Sequence, residues 1–182
     1  MNIFLNFVLF QLVWALSLYG VVVGYAWLGP LSLVGFVIIH AATSRTAKAD
    51  FALAVIAVPI GLTLDTLYIR SGLIAYNGEL LWSGAAPLWI LALWANFALT
   101  LNGCLGWLRE RLKLAAALGF VGGPLSYYGG IAVGTATVSG DSLLLFGIIG
   151  VAWAIVVPFL LWLALQFAER WHPLPTPVIS PA

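Results

Sequence analysis

Charged side chains divide the chain into apolar stretches of helical length. Residues 1 to 44 carry none, and the first polar patch is Ser44-Arg45-Thr46-Ala47-Lys48-Ala49-Asp50. A bilayer core of about 30 Å takes about 20 apolar residues per helical span, so this opening stretch holds two spans. The turn between them falls within residues 24 to 30, where Gly29-Pro30 interrupts a helix and Trp27 suits a membrane interface. Helices are therefore predicted near 3 to 23 and 28 to 43. A third runs from 51 to 69 and ends at Arg70, before turn chemistry in Ser71-Gly72, Asn77-Gly78-Glu79 and Ser83-Gly84. The uncharged run 80 to 108 predicts a fourth helix near 86 to 107, with Arg109, Glu110, Arg111 and Lys113 behind it. The fifth falls near 114 to 134 and the sixth, after Asp141, near 143 to 167.

This pattern implies an all-α, polytopic transmembrane bundle of about six helices in one domain, residues 1 to 168, followed by a proline-rich tail at 169 to 182. Closely spaced prolines keep such a tail out of helix. Six alternating spans put both termini and the loops after helices two and four on one side, with Arg45, Lys48, Arg109, Arg111, Lys113 and Arg170. The other side has Arg70 alone, so the excess of basic residues places both termini in the cytoplasm. The amino terminus reads as an uncleaved first span, because no Lys or Arg precedes its apolar run and no small-x-small cleavage site follows.

Composition agrees and removes several alternatives. Apolar residues make up 63% and charged residues 7%, against about 45–50% and about 25% in a soluble domain. A net charge of +1 leaves no basic face for a nucleic-acid backbone. Cys104 is the sole cysteine, so an intramolecular disulfide and a multi-cysteine metal site are excluded. No HExxH, no CxxC and no second His at i+4 accompanies His40, and Gly122-Gly123 lacks the Lys-Ser/Thr of a phosphate loop. No metal and no cofactor are expected.

Ionisable groups inside a membrane are costly and thus the default functional candidates. Two fall within the predicted spans, Asp65 and His40. Asp65 follows Pro59 and Gly61 near the outer end of helix three, whereas His40 lies near the inner end of helix two, too far apart in depth to pair. Asp65 reads equally as a structural hydrogen-bond acceptor or as a chemical group, with Tyr127 and Tyr128 as catalytic companions at its level. Trp89, Asn96 and Ser126 are the candidate ligand contacts, Trp89 and Asn96 sharing a helix face at i and i+7. A second polar group, Asn6, Thr100, Asn102 and Gln166, lies near the level of His40. Deep tryptophans such as Trp14, Trp94 and Trp153 each need a partner for the indole N–H. Glycine pairs at i and i+4, Gly20 with Gly24, Gly119 with Gly123 and Gly130 with Gly134, suit close helix packing, within the chain, with a second copy or with another membrane protein.

The segments Leu5-Asn6-Phe7-Val8-Leu9-Phe10-Gln11 with Trp14, Leu64-Asp65, Ala86-Pro87-Leu88-Trp89 through Leu101-Asn102, and Gly122-Gly123-Pro124-Leu125-Ser126-Tyr127-Tyr128-Gly129-Gly130 together resemble a bacterial inner-membrane family, domain of unknown function 2878. The resemblance implies a small multi-pass protein without an established activity, encoded near genes of fatty-acyl modification. It also implies a His after the Asn of helix four, where this chain has Gly103. The leading expectation is a protein linked to membrane lipid or fatty-acyl metabolism, as enzyme or accessory, with membrane lipids as its partners. The alternatives are a small proton-coupled transporter and a non-catalytic membrane scaffold.

Overall fold

A computed structural model describes residues 1–78 and 81–171. The rest of the proline-rich tail, residues 172–182, lies outside the described residues. Six α-helices and two short strands follow in the order α1 (Ile3–Val22), α2 (Leu28–Thr43), α3 (Ala47–Arg70), β1 (Ile74–Tyr76), α4 (Leu88–Ala98), α5 (Leu112–Ala132), β2 (Ala136–Val138) and α6 (Ser142–Trp171). The fold is all-α, as the charge spacing predicts. Asn2 caps α1 by accepting from the amide of Phe4 at 2.9 Å. Gly24, at φ +81°, makes the turn into α2 that a residue with a Cβ would strain.

The packing order explains the shape. α1 and α2 lie together against α4, α4 lies on α3, α3 on α6, and α6 on α5. The line of helices does not close on itself, and a cleft is left between α1 and α5 above one face of α4. The exterior is apolar, and polar side chains are buried within an apolar core. Leu143, Val55, Phe4 and Leu125 are more than 60% exposed, whereas Asn6, Ser17, His40, Asp50, Asp65, Asn96, Thr100 and Thr135 are buried. In water this arrangement would strand apolar surface; in lipid it keeps the apolar surface outside and these polar side chains inside.

Three differences from the sequence expectation stand out. α1, α3 and α6 are long and apolar enough to cross a membrane, three helices rather than six. α5 has the length, but its glycines, Ser126, Tyr127 and Tyr128 dilute it, and α2 and α4 are shorter. Second, the helix expected over 86 to 107 ends at Ala98. Eleven residues rise about 16 Å, roughly half of a bilayer core. Beyond Ala98 the backbone tightens into i→i+3 turns, Thr100 Oγ1 donates to the carbonyl of Phe97 at 2.6 Å, and a short 3₁₀ turn follows at Gly106–Leu108. Asn6 of α1 mends the break: its Nδ2 donates to Leu99 O at 3.0 Å and its Oδ1 accepts from Cys104 N at 2.9 Å. A Cβ on Gly103 would sit 2.2 Å from that oxygen, so Gly103 and Asn6 require each other.

Third, the loops near 71–78 and 133–141 are not independent. β1 and β2 pair antiparallel, Ile74 with Val138, Ala75 with Thr137 and Tyr76 with Ala136. The α3–α4 and α5–α6 connections thus lie at one end of the bundle. At the opposite end the amino group of Met1 donates to Thr43 O and Asn102 reaches Asp50. The α6 helix runs to Trp171, three residues into the segment expected as tail.

The glycine faces are used largely within the chain. Cβ atoms built at Gly119 and Gly123 would come 2.5 Å from the Trp153 carbonyl oxygen and 2.5 Å from its indole ring. Gly119→Ala should therefore push α5 off α6 and lower the unfolding temperature in detergent, at a cost of about 1–3 kcal/mol. Gly147→Ala on the open face of α6, where a Cβ meets nothing within 4 Å, should leave that temperature unchanged or raise it.

Candidate functional site

Asp65 is wholly buried and holds three donors. Trp94 Nε1 donates to Oδ2 at 2.8 Å, and the hydroxyls of Tyr127 and Tyr76 donate to Oδ1 at 2.8 and 2.5 Å. Each donor comes from a different element, α4, α5 and β1, so one carboxylate on α3 joins four elements. Local sequence explains the fit. Gly61 lies one turn before Asp65, and a Cβ there would fall 2.2 Å from the Trp94 ring. The bare turn lets the indole lie flat on α3 with its N–H aimed at the carboxylate. Trp153 stacks on the other face of Trp94, with centroids 5.0 Å apart and planes 29° apart. Burial first, and the neighbouring Asp65 second, push the Tyr76 hydroxyl well above the ordinary phenol range, so it remains a donor.

Beside this group runs the cleft, about 500 Å³ in volume. Its walls include Trp14 of α1, Leu93 and Phe97 of α4, and Leu118 and Gly122 of α5; Tyr76 and Tyr127 line its polar end. Asp65 does not line the cleft, because its three donors stand between it and the space.

Of the residues singled out in the sequence, Asp65 and Tyr127 meet. Tyr128 does not join them: adjacent helical positions point about 100° apart, and Tyr128 is 60% exposed with its ring edge on Phe146. Trp89 and Ser126 line the cleft, and Trp89 Nε1 donates to Asn77 O at 3.0 Å. Asn96 faces away from it, donating to Phe10 O at 3.0 Å and thereby fastening α1 to α4. Gln166 is exposed and outside the inner polar group. Tyr76 was not legible as a site residue, since only the β1–β2 pairing brings it to Asp65.

His40 and Asp65 stay apart, as their depths require, but His40 has a different acid. Asp50, expected at the edge of helix three, is the fourth residue of α3 and fully buried. Its Oδ2 accepts from His40 Nε2 and Thr46 Oγ1, both at 2.7 Å, and its Oδ1 from Asn102 Nδ2 at 2.8 Å. Arg109 Nη1 in turn donates to Asn102 Oδ1 at 2.8 Å. Among the described residues no group of three His, Cys, Asp or Glu side chains is placed to hold a metal ion.

Buried polar clusters under an apolar exterior, with three helices able to cross a bilayer, define a helical membrane protein. The chain belongs to the family described as protein of unknown function, DUF2878, whose model matches residues 3–159. No curated protein and no solved structure matches it.

Asp65→Asn should destabilise more than Tyr127→Phe. An amide offers one acceptor oxygen where three donors converge, and its NH₂ must face at least one of them. The expected loss is about 1–3 kcal/mol for Asp65→Asn and about 1 kcal/mol for Tyr127→Phe. Thermal unfolding in micelles, followed by tryptophan fluorescence, checks the order; equal and negligible losses would refute the shared-acceptor arrangement.

Proposed function

We propose that the protein is a multi-pass membrane protein that receives one hydrocarbon chain of a membrane lipid in the cleft between α1 and α5, serving lipid or fatty-acyl metabolism. The observation that carries this reading is the cleft: apolar walls on three helices, and at one end the hydroxyls of Tyr76 and Tyr127. Gln11, Ser126 and Trp89 also line the cleft, the Trp89 N–H being bonded to Asn77 O. A carboxylate has about four acceptor sites, and three of those on Asp65 are occupied. That engagement favours Asp65 as the residue that positions the tyrosines, and favours binding and presentation of a lipid over acid–base chemistry by the carboxylate itself. The basic residues Arg45, Lys48, Arg109, Arg111 and Lys113 cluster at the Asp50 end, which supports a cytoplasmic location for that end and six crossings of a bacterial inner membrane.

Gly122 offers a clean test, because it lines the cleft and a Cβ there meets nothing within 4 Å. Gly122→Phe should fill the cleft without disturbing the helix contacts. Lipids extracted from the purified wild type should include a retained species that Gly122→Phe lacks, at an unfolding temperature no lower than that of the wild type. Equal retention by both proteins would defeat the proposal. The orientation has its own check in bacterial cells: a phosphatase fused after Gly140 should be active and one fused after Arg111 inactive, and the reverse pattern would invert the topology.

A further inference from the structure

At the Asp50 end a second pocket, about 530 Å³, opens between the α2–α3 turn and the turn after α4. His40, Thr43, Ser44, Arg45, Thr46 and Asn102 line it together with Met1 and Gly103, so its walls include hydroxyls, an amide, an imidazole and a guanidinium. The lipid cleft and the Asp65 group share none of these residues.

His40 is the feature that packing does not explain. Its side chain is 1% exposed, and Phe36 and Phe51 hold the ring edges at 5.7 and 5.9 Å between centroids. Nε2 bonds to Asp50 Oδ2 at 2.7 Å, and a carboxylate can only accept, so Nε2 carries a proton. Nδ1 finds no partner among the described residues. A buried polar atom without a hydrogen bond is costly, and this one belongs to a side chain that forms the pocket wall. The charge around it is already sorted. Asp50 accepts from three donors, the Asn102 donor being tied to Arg109. Arg45, exposed at the pocket, has no acidic partner among the described residues.

We propose that this pocket binds a phosphate group, with His40 Nδ1 as the buried contact and Arg45 as the charge at its mouth. Phosphate suits Nδ1 in either state of the ring: a P–OH donates to the lone pair of a neutral imidazole, and a P–O⁻ accepts from an imidazolium. Asp50 then acts as a positioning residue that fixes which nitrogen faces the ligand, as carboxylates do for functional histidines. The phosphate can come from a lipid headgroup in the adjoining leaflet or from solution.

The full chain in nanodiscs of digalactosyl diacylglycerol, a bilayer lipid without phosphate, with ¹⁵N-labelled histidine, tests the proposal; the sequence has two histidines, and His172→Gln assigns His40. Phosphatidic acid is added to the discs in one series and inorganic phosphate to the buffer in another. A saturable shift of His40 Nδ1 with phosphatidic acid alone supports a headgroup site, and a shift in both series supports a phosphate site open to solution. No shift in either series overturns the proposal. Arg45→Gln, at an exposed position, should fold normally and weaken binding about tenfold, the size of one lost charge-assisted hydrogen bond. Unchanged affinity in that variant overturns the assignment of the pocket.

Discussion

The carboxylate of Asp65 can be buried only because three donors meet it, and the arrangement of the hairpin half of the molecule follows from bringing them there. Removing an ion from water costs several kcal/mol unless hydrogen bonds replace its hydration. The donors must arrive from elements that are far apart in the chain. Tyr76 arrives through the register of β1 on β2, which also joins the two connections at that end. Trp94 arrives because α4 begins at Leu88, after Ala86 N has donated to Thr66 Oγ1 at 3.1 Å. Tyr127 arrives with α5, which α6 carries on the Trp153 face. Gly61 and Asp65, one turn apart, provide the floor and the acceptor for one indole ring.

The other end obeys the same constraint with different groups. A chain that leaves helical geometry inside an apolar layer must satisfy the freed amides and carbonyls from elsewhere. After Ala98 the α4 backbone does this with tight turns and with Asn6, whose single amide serves both a carbonyl and an N–H of the break. Asp50 then gathers His40, Thr46 and Asn102, joining the start of α3 to the end of α2 and to the segment after α4. Each half of the bundle is thus organised by a buried acid, and the two acids lie on one helix, α3.

Helices were legible in the sequence because long charge-free runs are a strong signal, and a deep Trp94 already demanded an acceptor; Gly29-Pro30, expected to interrupt a helix, instead lies in the first turn of α2, and the turn falls at Gly24. Depth alone was enough to separate Asp65 from His40. The remaining features depend on contacts between distant segments. Three-residue strands are too short to show alternation, so β1, β2 and the role of Tyr76 could not be read. The apolar run that contains α4 looks helical to residue 107, since Thr100, Asn102 and Gly103 break a helix only when Asn6 is there to take over its hydrogen bonds. Asp50 was hidden by sitting in a polar patch. A charged residue between Lys48 and an apolar run reads as an interface group, although α3 begins before it and buries it completely. Tyr127 and Tyr128 were indistinguishable by type and level, and only the rotation of α5 about its axis separates them.

The cleft persists because both of its walls are held from behind. α1 is fastened to α4 by two asparagines, Asn6 at one level and Asn96 at another, each bonded to backbone across the interface. α5 is fastened to α6 by glycines that admit the Trp153 backbone and ring. Trp153 in turn stacks on Trp94, which α3 holds through Asp65. Neither wall can move toward the other without breaking one of these contacts, and the space between them is lined by Gly122 and other residues with no side chain reaching across it. An apolar void of this size forfeits dispersion contacts along its lining unless something apolar fills it. In a bilayer the filler at hand is a hydrocarbon chain, which is the occupant proposed for the space between α1 and α5.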